Sequence, residues 1–171
     1  NERGSAGIHV LWPDLANQAF RDAKSSGEPN NISPAITYSL KGGVRALWLG
    51  DMENDYMVAI EDDIELSPVD ILFAPHHGRK SGRVPKTWLD RLEPRLIVVG
   101  EAPSDELEYY SDYHTLTQNS AGDILFCCET GKTHVYVGYP SYSVNFLGED
   151  PNAPRVKGAL HYLGSFDCGD R

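Results

Sequence analysis

The sequence predicts an α/β fold: a mixed sheet with flanking helices. Three observations carry that expectation. Two continuous apolar runs, "VDILFAP" (Val69–Pro75) and "RLIVVGE" (Arg95–Glu101), have the length and composition of buried strands. Segments of helical character stand before and between them. Two further stretches alternate around short turns and read as hairpins. Strand, hairpin, helix, strand, helix, strand, hairpin describes a layered half-domain, with helices expected on one face of the sheet and a second sheet on the other. Nothing in the sequence looks able to close that second sheet alone.

The elements follow in chain order. "GIHVLWP" (Gly7–Pro13) reads as a short strand stopped by proline. "DLANQAFRDAKSSG" has helical character and runs into a loop at Gly27, Pro29 and Asn30. "SPAITYSLKGGVRALWLGD" reads as a hairpin of Ala35–Leu40 and Val44–Leu49 around a Lys41-Gly42-Gly43 turn, with Asp51 immediately beyond it. "MENDYMVAIEDDIEL" is expected as a helix with an acidic face. "PKTWLDRLE" places Pro85 at a good first helical position and stops before Pro94. "DELEYYSDYHTLTQNSAGD" reads as a long polar loop rich in aromatic residues, of a kind that often carries function. "ILFCCETGKTHVYVG" is the last clear hairpin. From Tyr139 onward Gly, Pro and Tyr dominate. The expected organisation is therefore a half-domain over residues 1–138 and an irregular extension over 139–171.

Composition narrows the function classes. The 171 residues are 40% hydrophobic and 23% charged, the balance of an ordinary globular domain. No apolar run reaches the ~18 residues needed to cross a bilayer. Three cysteines, two of them adjacent and none in a CxxC pair, do not make a disulfide framework or a zinc ribbon. A reducing, cytoplasmic location is the expectation. The formal net charge of -10 excludes a large nonspecific DNA-binding face, but not a local basic pocket or an acidic site offset by metal cations. The first residue is Asn1, and we expect the sequence to have been cut from a longer one.

Two short stretches could carry chemistry. In "WLGDMEND", Gly50 lets the backbone turn and throws Asp51 out at a strand end. A carboxylate there is either a hard metal ligand able to bridge two cations or a cap for the next helix. In "FAPHHG", His76 and His77 follow the strand directly. Imidazole nitrogen suits zinc, manganese or iron. Neighbours on a strand point to opposite faces, so at most one of the two should ligate. The alternative is a polar strand terminus. Both stretches lie on the C-terminal side of buried strands, where α/β sheets collect their ligands.

Gly50-Asp51 followed by His76-His77-Gly78, with Asn30-Asn31-x-Ser33 ahead, resembles the second half of a metallo-β-lactamase-fold hydrolase. Across roughly Gly7 to Val137 the chain closely follows the C-terminal metallohydrolase domain of the competence DNA-uptake channel protein. That resemblance implies the second half of an αββα sandwich holding two divalent ions, zinc or manganese, that activate water. Asp51 would be the bridging ligand and His76 or His77 the last histidine ligand. Asn31 and Ser33 would shape the loop beside the site and meet substrate; a plain turn ahead of a strand is the other reading. Tyr113 and His114 fall where the family places a substrate contact or a general acid, although "SDYHTLTQNSAGD" departs from the family's Tyr-Gly-His-Pro. Arg79, Lys80 and Arg83 form a basic cluster that could meet a substrate phosphate, or line a solvated loop.

The family's His-x-His-x-Asp-His motif is not present, and none of His9, His114, His134 and His161 has its spacing. It is expected on an upstream half of the same fold, in the same protein or on a separate chain. The function expected from these residues is a metal-dependent hydrolase, a phosphodiesterase or nuclease acting on a small or single-stranded phosphodiester or nucleotide. The rival is a non-catalytic scaffold that serves a partner.

Overall fold

Six short strands run side by side in sequence order in a computed structural model that describes residues 6–169. They are β1 (Ile8–Trp12), β2 (Ala35–Ser39), β3 (Arg45–Trp48), β4 (Ile71–Phe73), β5 (Leu96–Val99) and β6 (Thr115–Thr117). The first three pair antiparallel, and β3 through β6 pair parallel. The hairpin expected around Lys41–Gly43 makes the antiparallel part. The apolar runs make the parallel part, because each must cross over through a covering segment before it returns. The sheet is therefore mixed, as the sequence predicts.

Register assigns the two faces. Leu47, Leu72 and Ile97 stand level across β3, β4 and β5 and are fully buried toward the helices. That face carries α1 (Gln18–Ser26), α2 (Asn54–Ala59) and α3 (Lys86–Leu92), whose Phe20, Met57, Trp88, Leu89 and Leu92 complete one core. Asn17 caps α1, its side-chain oxygen accepting from the Ala19 and Phe20 amides, and Gly27 ends the helix in a left-handed conformation. No helix among the described residues is long and apolar enough to cross a membrane.

The other face carries Ala46, Ile71 and Val98. A second, antiparallel sheet packs on it, made of β7 (Ile124–Glu129), β8 (Lys132–Val137) and β9 (His161–Asp167). Phe126 and Phe166 contact the shared core, and Cys168, just beyond β9, is buried there as a free thiol. The layers are helices, six strands, three strands.

This cover is partial. Val10, Ile36, Trp48, Phe73 and Val98 form one cross-strand row on the face that meets the second sheet. Val98 is buried, yet Trp48 is 37% and Val10 63% exposed, with Ile8 at 51% beside them. Trp48 and Phe73 stack with ring centroids 4.6 Å apart.

Several segments depart from expectation. The acidic helix is only six residues long, because Ile60–Asp63 turns back and the chain must re-enter the sheet at β4. Pro85 stands at the N-cap of α3, one place before the position expected for it. The polar loop is not structureless: it holds a 3₁₀ helix (Ser104–Tyr110), β6 and α4 (Gln118–Ala121). The stretch after Tyr139 is irregular only as far as residue 160. His161–Asp167 then pairs with β8 and supplies the third strand of the second sheet.

The 3₁₀ helix is anchored by two tyrosines. Tyr109 donates its hydroxyl to the Val84 carbonyl at 2.7 Å, and the Val84 amide donates to the Tyr110 hydroxyl at 3.2 Å. Tyr110 is fully buried, and burial pushes its hydroxyl up to about 12. The folded pKa lies above the unfolded one, so this contribution is complete below pH ~10 and is lost as pH rises from ~10 to ~12. Chemical denaturation at pH 8 and pH 11.5 should therefore show a loss on the order of 2 kcal/mol in the wild type attributable to this group. Tyr110→Phe should be less stable at pH 8 but flatter across that window. An equal slope in both proteins would refute the assignment.

Candidate functional site

The β3 and β4 tips lie side by side because their strands pair parallel, with Trp48 opposite Phe73. Beyond Trp48 the chain turns at Gly50, which has φ +59°. A side chain there would place its Cβ 2.6 Å from Ser33 Cβ, so glycine is required for the backbone to pass. The Asp51 amide then donates to Ser33 Oγ at 3.1 Å, and the Glu53 amide donates to Asn31 Oδ1 at 3.1 Å. Asn31 is buried and also donates to Glu28 at 3.1 Å. Asn31 and Ser33 thus shape the loop under Asp51. Their polar atoms are engaged by the protein, and we assign them no substrate contact. Asp51 does not cap α2: Glu53 holds that place, without a side-chain bond.

His76 and His77 are not on the strand. They form a tight turn within Pro75–Gly78, and both adopt the left-handed conformation, with φ +49° and +60°. For non-glycine residues that costs about 1–2 kcal/mol each and persists only where the surroundings impose it. The His76 amide donates to the Gly50 carbonyl at 3.0 Å, and the Arg79 amide donates back to the His76 carbonyl at 3.1 Å. Two glycines admit the turn. A Cβ on Gly82 would lie 2.6 Å from both His76 Cβ and the Pro75 carbonyl oxygen, and one on Gly100 would lie 3.1 Å from His77 Cα.

The turn separates the two imidazoles. His77 is exposed and lines a shallow pocket of about 240 Å³ together with Asp51, Trp48, Phe73, Gly100 and Gln118. His76 lies against a different cavity of about 850 Å³, which Arg79, Lys80, Ser81 and Arg83 also line. Its Nδ1 is 2.9 Å from Ser81 Oγ. The opposition expected from strand alternation is present, but a turn produces it. His77 is the histidine that accompanies Asp51.

Tyr113 and His114 do not join them. His114 precedes β6, at the end of the parallel strands opposite to the tips that carry Asp51 and His77, and stacks on Phe146 at 4.4 Å. It lines a pocket with Arg95 and Lys132. Tyr113 packs against the helix-side core. Neither serves as an acid at the Asp51 pocket. The residue that β6 does deliver there is Gln118, just past its C-terminal end. Sequence reasoning missed it, because the three residues of β6 are too few to show a strand period.

Among the described residues no group of three His, Cys, Asp or Glu could hold a metal ion. Asp51 and His77 offer two donors, whereas zinc takes about four and harder divalent ions about six. The described residues therefore do not fit a pair of divalent ions by themselves. No protein-family model matches the chain, and no curated protein matches it.

The turn gives a test. In Gly82→Ala the added methyl meets backbone at Pro75, so we expect a loss of about 1–3 kcal/mol by denaturant titration, more than an exposed loop residue normally costs. Displaced His76 and His77 imidazole resonances should accompany it. An unchanged midpoint with unchanged spectra would show that the turn is not held by this contact.

Proposed function

We propose that this chain carries part of a metal-dependent hydrolytic site for phosphodiesters, to which it contributes Asp51 and His77. The observation that carries the proposal is their convergence on one pocket at adjacent strand tips, under imposed backbone strain. Among the described residues no hydrogen bond or ion pair engages the Asp51 carboxylate or the His77 ring. A carboxylate with two free oxygens and an imidazole nitrogen are a suitable donor pair for zinc or manganese.

The remaining donors would come from the other half of the same fold, in the same protein or on a separate chain. Its place is the row of Val10, Ile36, Trp48 and Phe73. Two members of that row, Trp48 and Phe73, also line the Asp51 pocket, so a layer seated on the row reaches the site directly. When bound, the metal would supply Lewis acidity and an activated water. This chain's part is to fix Asp51 through Ser33 and His77 through the turn. Gln118, on the pocket wall, is placed to hydrogen-bond a bound ester.

The test uses the protein together with whatever half completes it, metal content and hydrolysis of bis-p-nitrophenyl phosphate being measured in parallel. Asp51→Asn and His77→Ala should each remove bound metal and lower turnover by 10²-fold or more, equivalent to about 3 kcal/mol. His76→Ala should keep the metal. Loss with His76→Ala and not with His77→Ala would reverse the assignment. Metal-free wild type in which neither substitution has any effect would leave a non-catalytic scaffold as the reading.

A further inference from the structure

The larger cavity, on the far side of the His76–His77 turn, has no part in the proposed hydrolytic site. It is an open depression of about 850 Å³ between the start of α2, the 79–83 loop and the 3₁₀ helix Ser104–Tyr110. We propose that it binds a single dianionic phosphate group, held by Arg79, Lys80 and Arg83 with the Ser81 hydroxyl. None of these groups is Asp51 or His77, so the inference stands apart from the hydrolase reading.

The charges are there and unspent. The protein carries a net charge of -10; Arg95 pairs with Asp70 at 3.0 Å and Lys132 with Asp150 at 2.9 Å, and half-buried Arg45 donates to the Pro68 carbonyl at 3.0 Å. Arg79, Lys80 and Arg83 make no ion pair among the described residues, although all three line one cavity. Three neighbouring cations repel each other, and an anion between them removes that repulsion.

Arg83 is the most prepared of the three. Its guanidinium carbon lies 4.9 Å from the centre of the Tyr109 ring, and that tyrosine is itself tied to the Val84 carbonyl. The Arg83 carbonyl accepts a bond of 2.6 Å from Asn54, which fixes the backbone. Its Nε is buried and finds no acceptor among the described residues. A bound oxyanion would instead meet the terminal guanidinium nitrogens of Arg83, which no hydrogen bond or ion pair engages among the described residues. Lys80 is held from the other side, its amide donating to Glu106 at 3.0 Å. The Ser81 hydroxyl is oriented by His76.

The acidic residues of the cavity define what fits. Glu53, Asp55 and Glu106 also line it. Glu53 is engaged by Asn30 at 3.2 Å, and Glu106 by the Lys80 amide. Their charge still repels any anion that extends past the cations. One compact phosphate is accepted there; a run of phosphates is not. Inorganic phosphate and the terminal phosphate of an ester present the same chemistry.

Calorimetric titration in EDTA at constant ionic strength tests this on the intact protein. Inorganic phosphate, phenyl phosphate and an unphosphorylated single-stranded oligonucleotide are the probes. Wild type should bind phosphate or its monoester saturably, and Lys80→Met/Arg83→Gln should weaken that at least tenfold. Tighter binding of phenyl phosphate identifies a phosphorylated molecule as the ligand, and equal binding identifies free phosphate; both support the site. Should the double variant unfold, Arg79→Met/Lys80→Met, which changes two exposed side chains, gives the same reading. The proposal fails if wild type shows no saturable phosphate binding, if folded variants bind as wild type does, or if the oligonucleotide binds as tightly as the monoester.

Discussion

One hydrogen bond, from the His76 amide to the Gly50 carbonyl, ties the two strand tips that carry Asp51 and the histidine pair. It is possible only because β3 and β4 run parallel and end level, Trp48 opposite Phe73. Parallel neighbours bring their C-terminal ends together, and whatever follows each strand meets at one edge. Here one strand is followed by Gly-Asp and the other by Pro-His-His-Gly. The bond fixes their relative height, and Ser33 fixes the Asp51 turn from beneath. The strained histidines persist because packed backbone surrounds them, with Gly82 and Gly100 leaving space where a side chain would collide.

The same register explains why the sheet is covered unevenly. Alternation sends Leu47, Leu72 and Ile97 to the helices, and that face is closed. Its opposite carries two cross-strand rows, and the three-stranded sheet covers them over β4–β6 more fully than over β1–β3. Ile71, Leu96 and Val98 are buried, while Ile8, Val10 and Trp48 are not. Burial of such side chains stabilises by about 25 cal/mol per Å², so the exposed Ile8, Val10 and Trp48 of these rows are a standing drive toward association. Its continuity with the Asp51 pocket links packing to chemistry: the layer that would cover the row would also enclose the site.

Much of this was legible in the sequence, and the physical reasons differ by element. The parallel strands β4 and β5 announced themselves as unbroken apolar runs, and the two hairpins as alternation around Lys41-Gly42-Gly43 and Thr130-Gly131. Asp51 and the histidine pair could be placed because each directly follows a strand. What could not be read was set by distant contacts. The pattern "ALHYLGSFD" carries only weak alternation, and β9 forms because β8 offers it an edge. "SDYHTLTQN" gave no sign that Leu116 would be wholly buried, since three residues are too few for a period. The resemblance pointed to His114, which lies at the end of β6 away from the Asp51 pocket, whereas Gln118 lies at the near end. Strand alternation correctly separated His76 from His77 but not by the right means, because left-handed φ in non-glycine residues has no sequence signature.

Adjacent in sequence, the two histidines are assigned different work by one turn. If both had continued β4 in extended form, one would have pointed into a packed layer, where an unpartnered imidazole is costly. The left-handed turn takes both rings out of the sheet and directs them to two surfaces. On one, His77 joins a carboxylate and two aromatic rings beside an open apolar face. On the other, His76 accompanies a serine and three cations in a protein that is otherwise strongly acidic. Glu53, Asp55 and Glu106 line the same depression, so the attraction of Arg79, Lys80 and Arg83 for an anion acts at close range, within about a Debye length, ~8 Å at physiological salt. The turn thus keeps the three cations apart from the Asp51–His77 pocket, each histidine lying with a different set of groups.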